Sequence, residues 1–171
     1  KAKIAKALDD MRTDRVLPYR FIAAAQYAPD VEPELEHAMF RSIEGHAKLK
    51  GKTILLVDVS GSMDGLLSGR SEMRRLDAAC GLAVLAREIC EDVEIYTFSD
   101  AVKKVPARRG FALRDAIVKS QPHMSTYLGR AVQEVDRKGA RLIVFTDEQS
   151  HDRVDAPKGL GYMVNVASYQ H

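Results

Sequence analysis

Two unbroken apolar runs constrain this chain more than anything else in it: Thr53-Ile-Leu-Leu-Val-Asp58 and Leu142-Ile-Val-Phe-Thr146. A strand with one face in water alternates apolar and polar residues; these do not, so both are expected to be buried on both faces of a sheet. Between them, the stretch from Glu72 to about Cys90 is apolar almost all round (Met73, Leu76, Ala79, Cys80, Leu82, Ala83, Leu85, Ile89), which predicts a helix packed deep against that sheet. Val93 to Phe98 alternates like a strand. Val102 to Val105 predicts a short edge strand ended by Pro106. Phe111 to Lys119 predicts a short helix, Tyr127 to Lys138 a longer one closed by Gly139, and Tyr162 to Val166 a further strand. Apolar strands alternating with helices imply an α/β, doubly wound, mostly parallel sheet whose functional loops lie at the carboxyl ends of the strands.

The first 49 residues follow a different, helical pattern. Pro18 suits the first turn of a helix running to about Tyr27, because the N–H it lacks has no partner there anyway. Ala28-Pro29-Asp30 breaks the pattern, and a second helix starts near Pro33, with Leu35, Ala38, Met39, Ser42 and Ile43 at helical spacing. The expected organisation is a helical segment over 1–49 and an α/β domain over 50–171.

Composition excludes several classes of function. No apolar run reaches the roughly 18–20 residues needed to span a bilayer. The opening Lys1-Ala-Lys-Ile-Ala-Lys6 has no apolar stretch behind its charges, so no secretory signal is expected, and a start other than Met reads as a piece cut from something longer. A net charge of +2 is too mild to imply nucleic-acid binding by itself. Basic residues do cluster, at Arg70, Arg74 and Arg75 and at Lys103, Lys104, Arg108 and Arg109; the default reading of both clusters is a solvated surface. Cys80 and Cys90, expected on one helix and thus roughly 15 Å apart, read as buried free thiols of a reducing, cytoplasmic protein.

The chemistry concentrates where the first strand ends. Asp58, Ser60 and Ser62 are spaced by two, so in an extended segment their side chains project to one side, and Gly61 lets the chain bend between the serines. One carboxylate and two hydroxyls make an all-oxygen site suited to a hard divalent cation, Mg²⁺ first, with Mn²⁺ or Ca²⁺ as alternatives. Thr126, just before a predicted helix, and Asp147, at the end of the Leu142 strand, are brought by the topology to the same rim. Asp58 and the serines would otherwise form only a capped strand–turn, and Thr126 or Ser125 only a helix cap.

In that order, Asp58-Val-Ser60-Gly-Ser62, Ser125-Thr126 and Thr146-Asp147 resemble the metal-ion-dependent adhesion site of von Willebrand A domains. The resemblance implies that Ser60, Ser62 and Thr126 contact the metal, while Asp58 and Asp147 hold it largely through water. Neutral hydroxyls would leave the cation under-neutralised and receptive to an Asp or Glu from a protein partner.

The N-terminal half narrows the likeness. Arg15-Val-Leu-Pro18-Tyr-Arg-Phe-Ile-Ala-Ala-Ala25, Glu34-Leu-Glu-His-Ala-Met39 and Lys50-Gly51-Lys52 resemble the carboxyl-terminal part of Ro ribonucleoprotein autoantigen (TROVE) proteins. In that family a ring of helical repeats binds small Y RNAs and the ends of misfolded RNAs, and an A-type domain closes the ring. That resemblance implies that residues 1–49 are a remnant of the ring, and that the A domain either lacks its last strand and helix beyond Val166 or has different terminal elements. The implied function is a metal-dependent binding module of an RNA chaperone or quality-control particle, not an enzyme. Three other readings compete with it: direct RNA contact through Lys103, Lys104, Arg108 and Arg109; an A-type adaptor unrelated to RNA; and metal-assisted hydrolysis using His123, Glu148 or His151, for which no paired histidines or nucleophile motif speak.

Overall fold

The computed structural model describes residues 2–167, and the chain divides after Lys48 into two compact units. The first holds three helices: α1 (Ala2–Asp10), α2 (Tyr19–Tyr27) and α3 (Glu32–Ile43). Pro18 precedes α2 and Pro33 sits in the first turn of α3, positions where a missing N–H is harmless. Phe21, Ile22 and Ala25 of α2 and Leu35, Ala38 and Met39 of α3 are buried, and the Arg41 guanidinium donates to the Leu8 and Asp9 carbonyls at the end of α1.

The second unit is a five-stranded sheet in the order β3-β2-β1-β4-β5, built from β1 (Leu49–Asp58), β2 (Cys90–Phe98), β3 (Val102–Lys104), β4 (Arg141–Thr146) and β5 (Gly161–Asn165). All neighbouring pairs are parallel except β2–β3. The helices are α4 (Arg75–Ile89), α5 (Gly110–Val118) and α6 (Leu128–Val135). The expected architecture, α/β with a mostly parallel sheet covered by helices, is the one found. Central β1 is fully buried from Ile54 to Val57, which explains its unbroken apolar run. Ile54 and Leu56 join Phe98, Leu142 and Val144 under the Leu128, Ala131, Val132 and Val135 face of α6. The alternate residues Leu55 and Val57 therefore face the other layer, where α4 packs on β1 and α5 on α4.

Several boundaries differ from expectation. The helix predicted to reach Cys90 stops at Ile89, and Cys90 opens β2 paired with Leu49, so the two buried cysteines do not share a helix. An apolar helix end running into an apolar strand carries no boundary signal. The helix expected to reach Lys138 ends at Val135, because the buried Asp136 carboxylate accepts the Lys158 N–H at 2.6 Å, a contact from another part of the chain. Gly139, at φ +86°, shapes the turn into β4 instead. The segment after Ala167, on which the expectation of a shortened end rests, lies outside the described residues. Among the described residues no helix is long and apolar enough to cross a membrane.

Candidate metal centre

The carboxyl ends of β1 and β4 are neighbours in the sheet, so Asp58 and Asp147 reach the same rim. Both are completely buried. One Asp58 oxygen accepts the Ser60 N–H at 2.9 Å and the other accepts the Thr146 hydroxyl at 2.7 Å, fixing the carboxylate plane. Burial lifts the Asp58 carboxyl above its ordinary range; hydrogen bonds from Ser60 and Thr146 work against that, and the nearby Asp147 charge adds to it. The chain past Asp58 turns through a short 3-10 segment, Gly61–Asp64, which brings the Ser60 and Ser62 hydroxyls to 3.2 Å from each other.

Thr126 arrives on the loop before α6. That loop is held against Gly61, whose N–H donates to the Met124 carbonyl at 2.8 Å. From the β2 end, the Ser99 hydroxyl accepts the Met124 N–H and donates to the Ser125 carbonyl, while Asp100 accepts the Ser125 N–H. The Ser125 backbone is thus held by the segment that follows β2. Thr126 is buried, and its peptide is gripped by His151: the His151 N–H donates to the Thr126 carbonyl at 2.9 Å, and the Thr126 N–H lies 3.2 Å from His151 Nδ1. Next to it Asp152 accepts the Gly129 and Arg130 N–H groups and so caps α6 from the loop after β4. Burial tends to raise that carboxyl, but the Ser150 hydroxyl and these N–H donors outweigh it and hold it below the usual range.

Sequence reasoning missed Arg75. Grouped with Arg70 and Arg74 as a solvated cluster, its side chain is in fact only 14% exposed and its guanidinium pairs with Asp147 at 2.9 Å. The same nitrogen donates to the Ser62 carbonyl at 3.1 Å, tying the β1 loop to the β4 carboxylate. Gly65 makes room for it: a Cβ there would lie 3.2 Å from the Ser62 carbonyl oxygen and 3.4 Å from Arg75 Cζ. Glu148, the residue after Asp147, holds φ at +62°, a left-handed conformation that costs a side-chain-bearing residue about 1–2 kcal/mol. The Glu148 N–H donates to the Thr146 hydroxyl at 3.1 Å, so the hydroxyl that orients Asp58 is itself oriented.

Among the described residues no three His, Cys, Asp or Glu side chains converge to hold an ion. A cation at this rim would therefore rely on hydroxyls beside two carboxylates, a donor set that suits Mg²⁺ or Mn²⁺ and not a soft metal. The two histidines on the site loops are both engaged. His123 has one ring nitrogen 3.2 Å from Asp64 and the other 3.1 Å from the Val118 carbonyl; His151 holds Thr126. The four basic residues considered for RNA, Lys103, Lys104, Arg108 and Arg109, are all exposed; Arg109 forms a two-pronged pair with Glu88 at 2.9 and 2.7 Å, and Lys104 lies 3.7 Å from Glu94.

No family model and no curated protein matches the sequence. Among solved structures, the Ro (RSR) protein of Deinococcus radiodurans superposes with a TM-score of 0.61 at 19% identity, over 87% of this chain and 35% of that one. The fold is of the von Willebrand A type. This chain spans about a third of the length of the Deinococcus protein. An aerotolerance-related membrane protein of Bacteroides fragilis also aligns, with a TM-score of 0.45 and 18% identity, over 61% of this chain and 57% of its own. The carboxyl ends of β1 and β4 thus bring Asp58, Ser60, Ser62, Asp147 and Arg75 together, and Thr126 lies on the loop held against Gly61.

Proposed function

We propose that the A-type domain is a divalent-cation-dependent docking module that captures an acidic group of a protein partner. The observation that carries this reading is the charge of the rim. Two buried carboxylates, Asp58 and Asp147, face one guanidinium, Arg75, leaving one net negative charge. A divalent ion held by Ser60, Ser62 and Thr126 together with the two carboxylates would bring the rim to one net positive charge. That surplus would favour an anionic ligand over water. A bound metal would supply Lewis acidity toward the partner's carboxylate, and the chain's own residues would supply the fixed oxygens. Because both imidazoles hold loops together, we read the site as one of docking and not of hydrolysis. From the sequence resemblance to Ro proteins we further propose that the module serves a cytoplasmic Ro-type particle that handles small Y-type and misfolded RNA; the likeness to the Deinococcus Ro protein supports the fold on which this rests.

Mn²⁺ titration followed by electron paramagnetic resonance tests this directly. One saturable site is expected, lost in Asp58→Ala, together with EDTA-sensitive retention of the chain on an immobilised Glu-bearing peptide. Absence of saturable Mn²⁺ binding, or binding unchanged in Asp58→Ala, would overturn the proposal.

A further inference from the structure

A second charged feature lies away from the metal rim, at the β3 edge of the sheet. An open groove of about 580 Å³ runs between β3, the loop after it and one face of α5. Lys103 and Lys104 enter it from the strand, Arg108 from the loop and Lys119 from the end of the helix, against a single carboxylate, Asp115. Ala112 and Ala116, one turn apart on α5, leave the floor shallow.

How these cations are partnered separates them from ordinary surface charge. Nearby arginines are paired: Arg109 with Glu88, and Arg114 with Asp115, the one acid of the groove's lining. Lys104 stands 3.7 Å from Glu94. Lys103, Arg108 and Lys119 have no acidic partner among the described residues. A lysine-bearing edge strand also discourages edge-to-edge pairing, which accounts for Lys103 and Lys104. It does not account for Arg108 and Lys119, which lie off the strand and line the same concavity.

We infer that this groove binds the phosphodiester backbone of single-stranded nucleic acid through Lys103, Arg108 and Lys119, assisted by Lys104. Cations spread over a strand, a loop and a helix match a run of phosphates better than one anion. The lining holds no aromatic side chain on which a base could stack, so contact is with the backbone and not the sequence. The site is independent of the metal and of the docking proposal.

The test uses the whole chain and a fluorescein-labelled single-stranded oligouridylate, followed by anisotropy across a salt series in EDTA. Neutralising three to four phosphates predicts a slope of log affinity against log salt of about −2 to −3. The triple variant Lys103→Gln, Arg108→Gln, Lys119→Gln changes only exposed side chains and should flatten that slope and cost at least about tenfold in affinity at low salt. An equal charge change around α6, Arg130→Gln, Lys138→Gln, Arg153→Gln, should leave both nearly unchanged. A DNA strand of equal length should bind as well as RNA, since neither base edges nor 2′-hydroxyls are read. The inference fails if the chain does not bind at low salt, if both triple variants weaken binding equally, or if binding needs Mg²⁺.

Discussion

Removing the positive charge of Arg75 isolates its part in the candidate metal rim. In Arg75→Met, Asp147 keeps the Gln149 N–H but loses its only ion pair among the described residues, and the Ser62 carbonyl loses a donor. Unit charges ~4 Å apart attract by about 4 kcal/mol at the effective dielectric typical of proteins, and breaking a buried pair from one side costs about 3–5 kcal/mol. Arg75 retains some access to water, so the lower end applies, about 3 kcal/mol. For a domain of this size that lowers the melting temperature by about 10 °C. The assay is thermal and urea unfolding of wild type, Arg75→Met and Arg75→Lys, each in EDTA and in excess Mg²⁺. In EDTA, Arg75→Met should be the weakest and Arg75→Lys close to wild type. Mg²⁺ should stabilise Arg75→Met by more than it stabilises wild type, because the ion takes over the neutralisation that the guanidinium otherwise supplies. A loss under ~1 kcal/mol in EDTA would refute the idea that Arg75 is the counter-ion of the rim. Equal gains from Mg²⁺ in both proteins would refute the idea that guanidinium and metal share it.

Three further outcomes follow from named contacts. Because the folded Asp58 carboxyl sits above its unfolded value, the folded state holds its proton more tightly; its contribution favours folding below the ordinary carboxylate range and is lost as pH rises through the folded value. Asp58→Asn should therefore flatten the rise in metal-free stability on acidifying from neutral pH toward that range, as read by urea midpoints, while abolishing Mn²⁺ binding. Gly129→Ala should cost about 1–3 kcal/mol in urea unfolding, since the new Cβ would collide with the Arg153 carbonyl group beside the Asp152 cap. Cys80, whose thiol burial pushes up to about 12, should resist Ellman's reagent at pH 8 until the chain is unfolded, as should buried Cys90.

What the sequence made legible follows physical scale. The strands β1 and β4 could be read because burial on both faces forces a continuous apolar run, and a parallel sheet then brings residues at their carboxyl ends to one edge. Asp58 and Asp147 come together for that reason, with no need to know their partners. Arg75 could not be found this way. A charged residue at a helix start looks solvent-facing until the residue 72 positions further on is seen beside it. The same holds for Asp136, which ends α6 by accepting from Lys158, and for Thr146, whose hydroxyl is spent on Asp58. Glu148 carries no local signal of its left-handed backbone, since a glutamate is not a residue type that favours that conformation. Of the four basic residues grouped from the sequence, only the structure separates Arg109, committed to Glu88, from Lys103 and Arg108.

The grip of His151 on Thr126, and of Asp152 on the start of α6, has a consequence for the order in which the domain assembles. These links join segments more than twenty residues apart, on either side of β4. A nascent or partly opened chain in which β4 has not yet docked beside β1 has neither Asp147 nor His151 near the Ser60 loop, and its α6 lacks the cap. Such contacts form late, because closing long loops costs entropy before any contact offsets it. On the docking proposal, competence to hold an ion at Asp58 would therefore depend on β4 having paired with β1, and an incompletely folded copy would present no assembled rim.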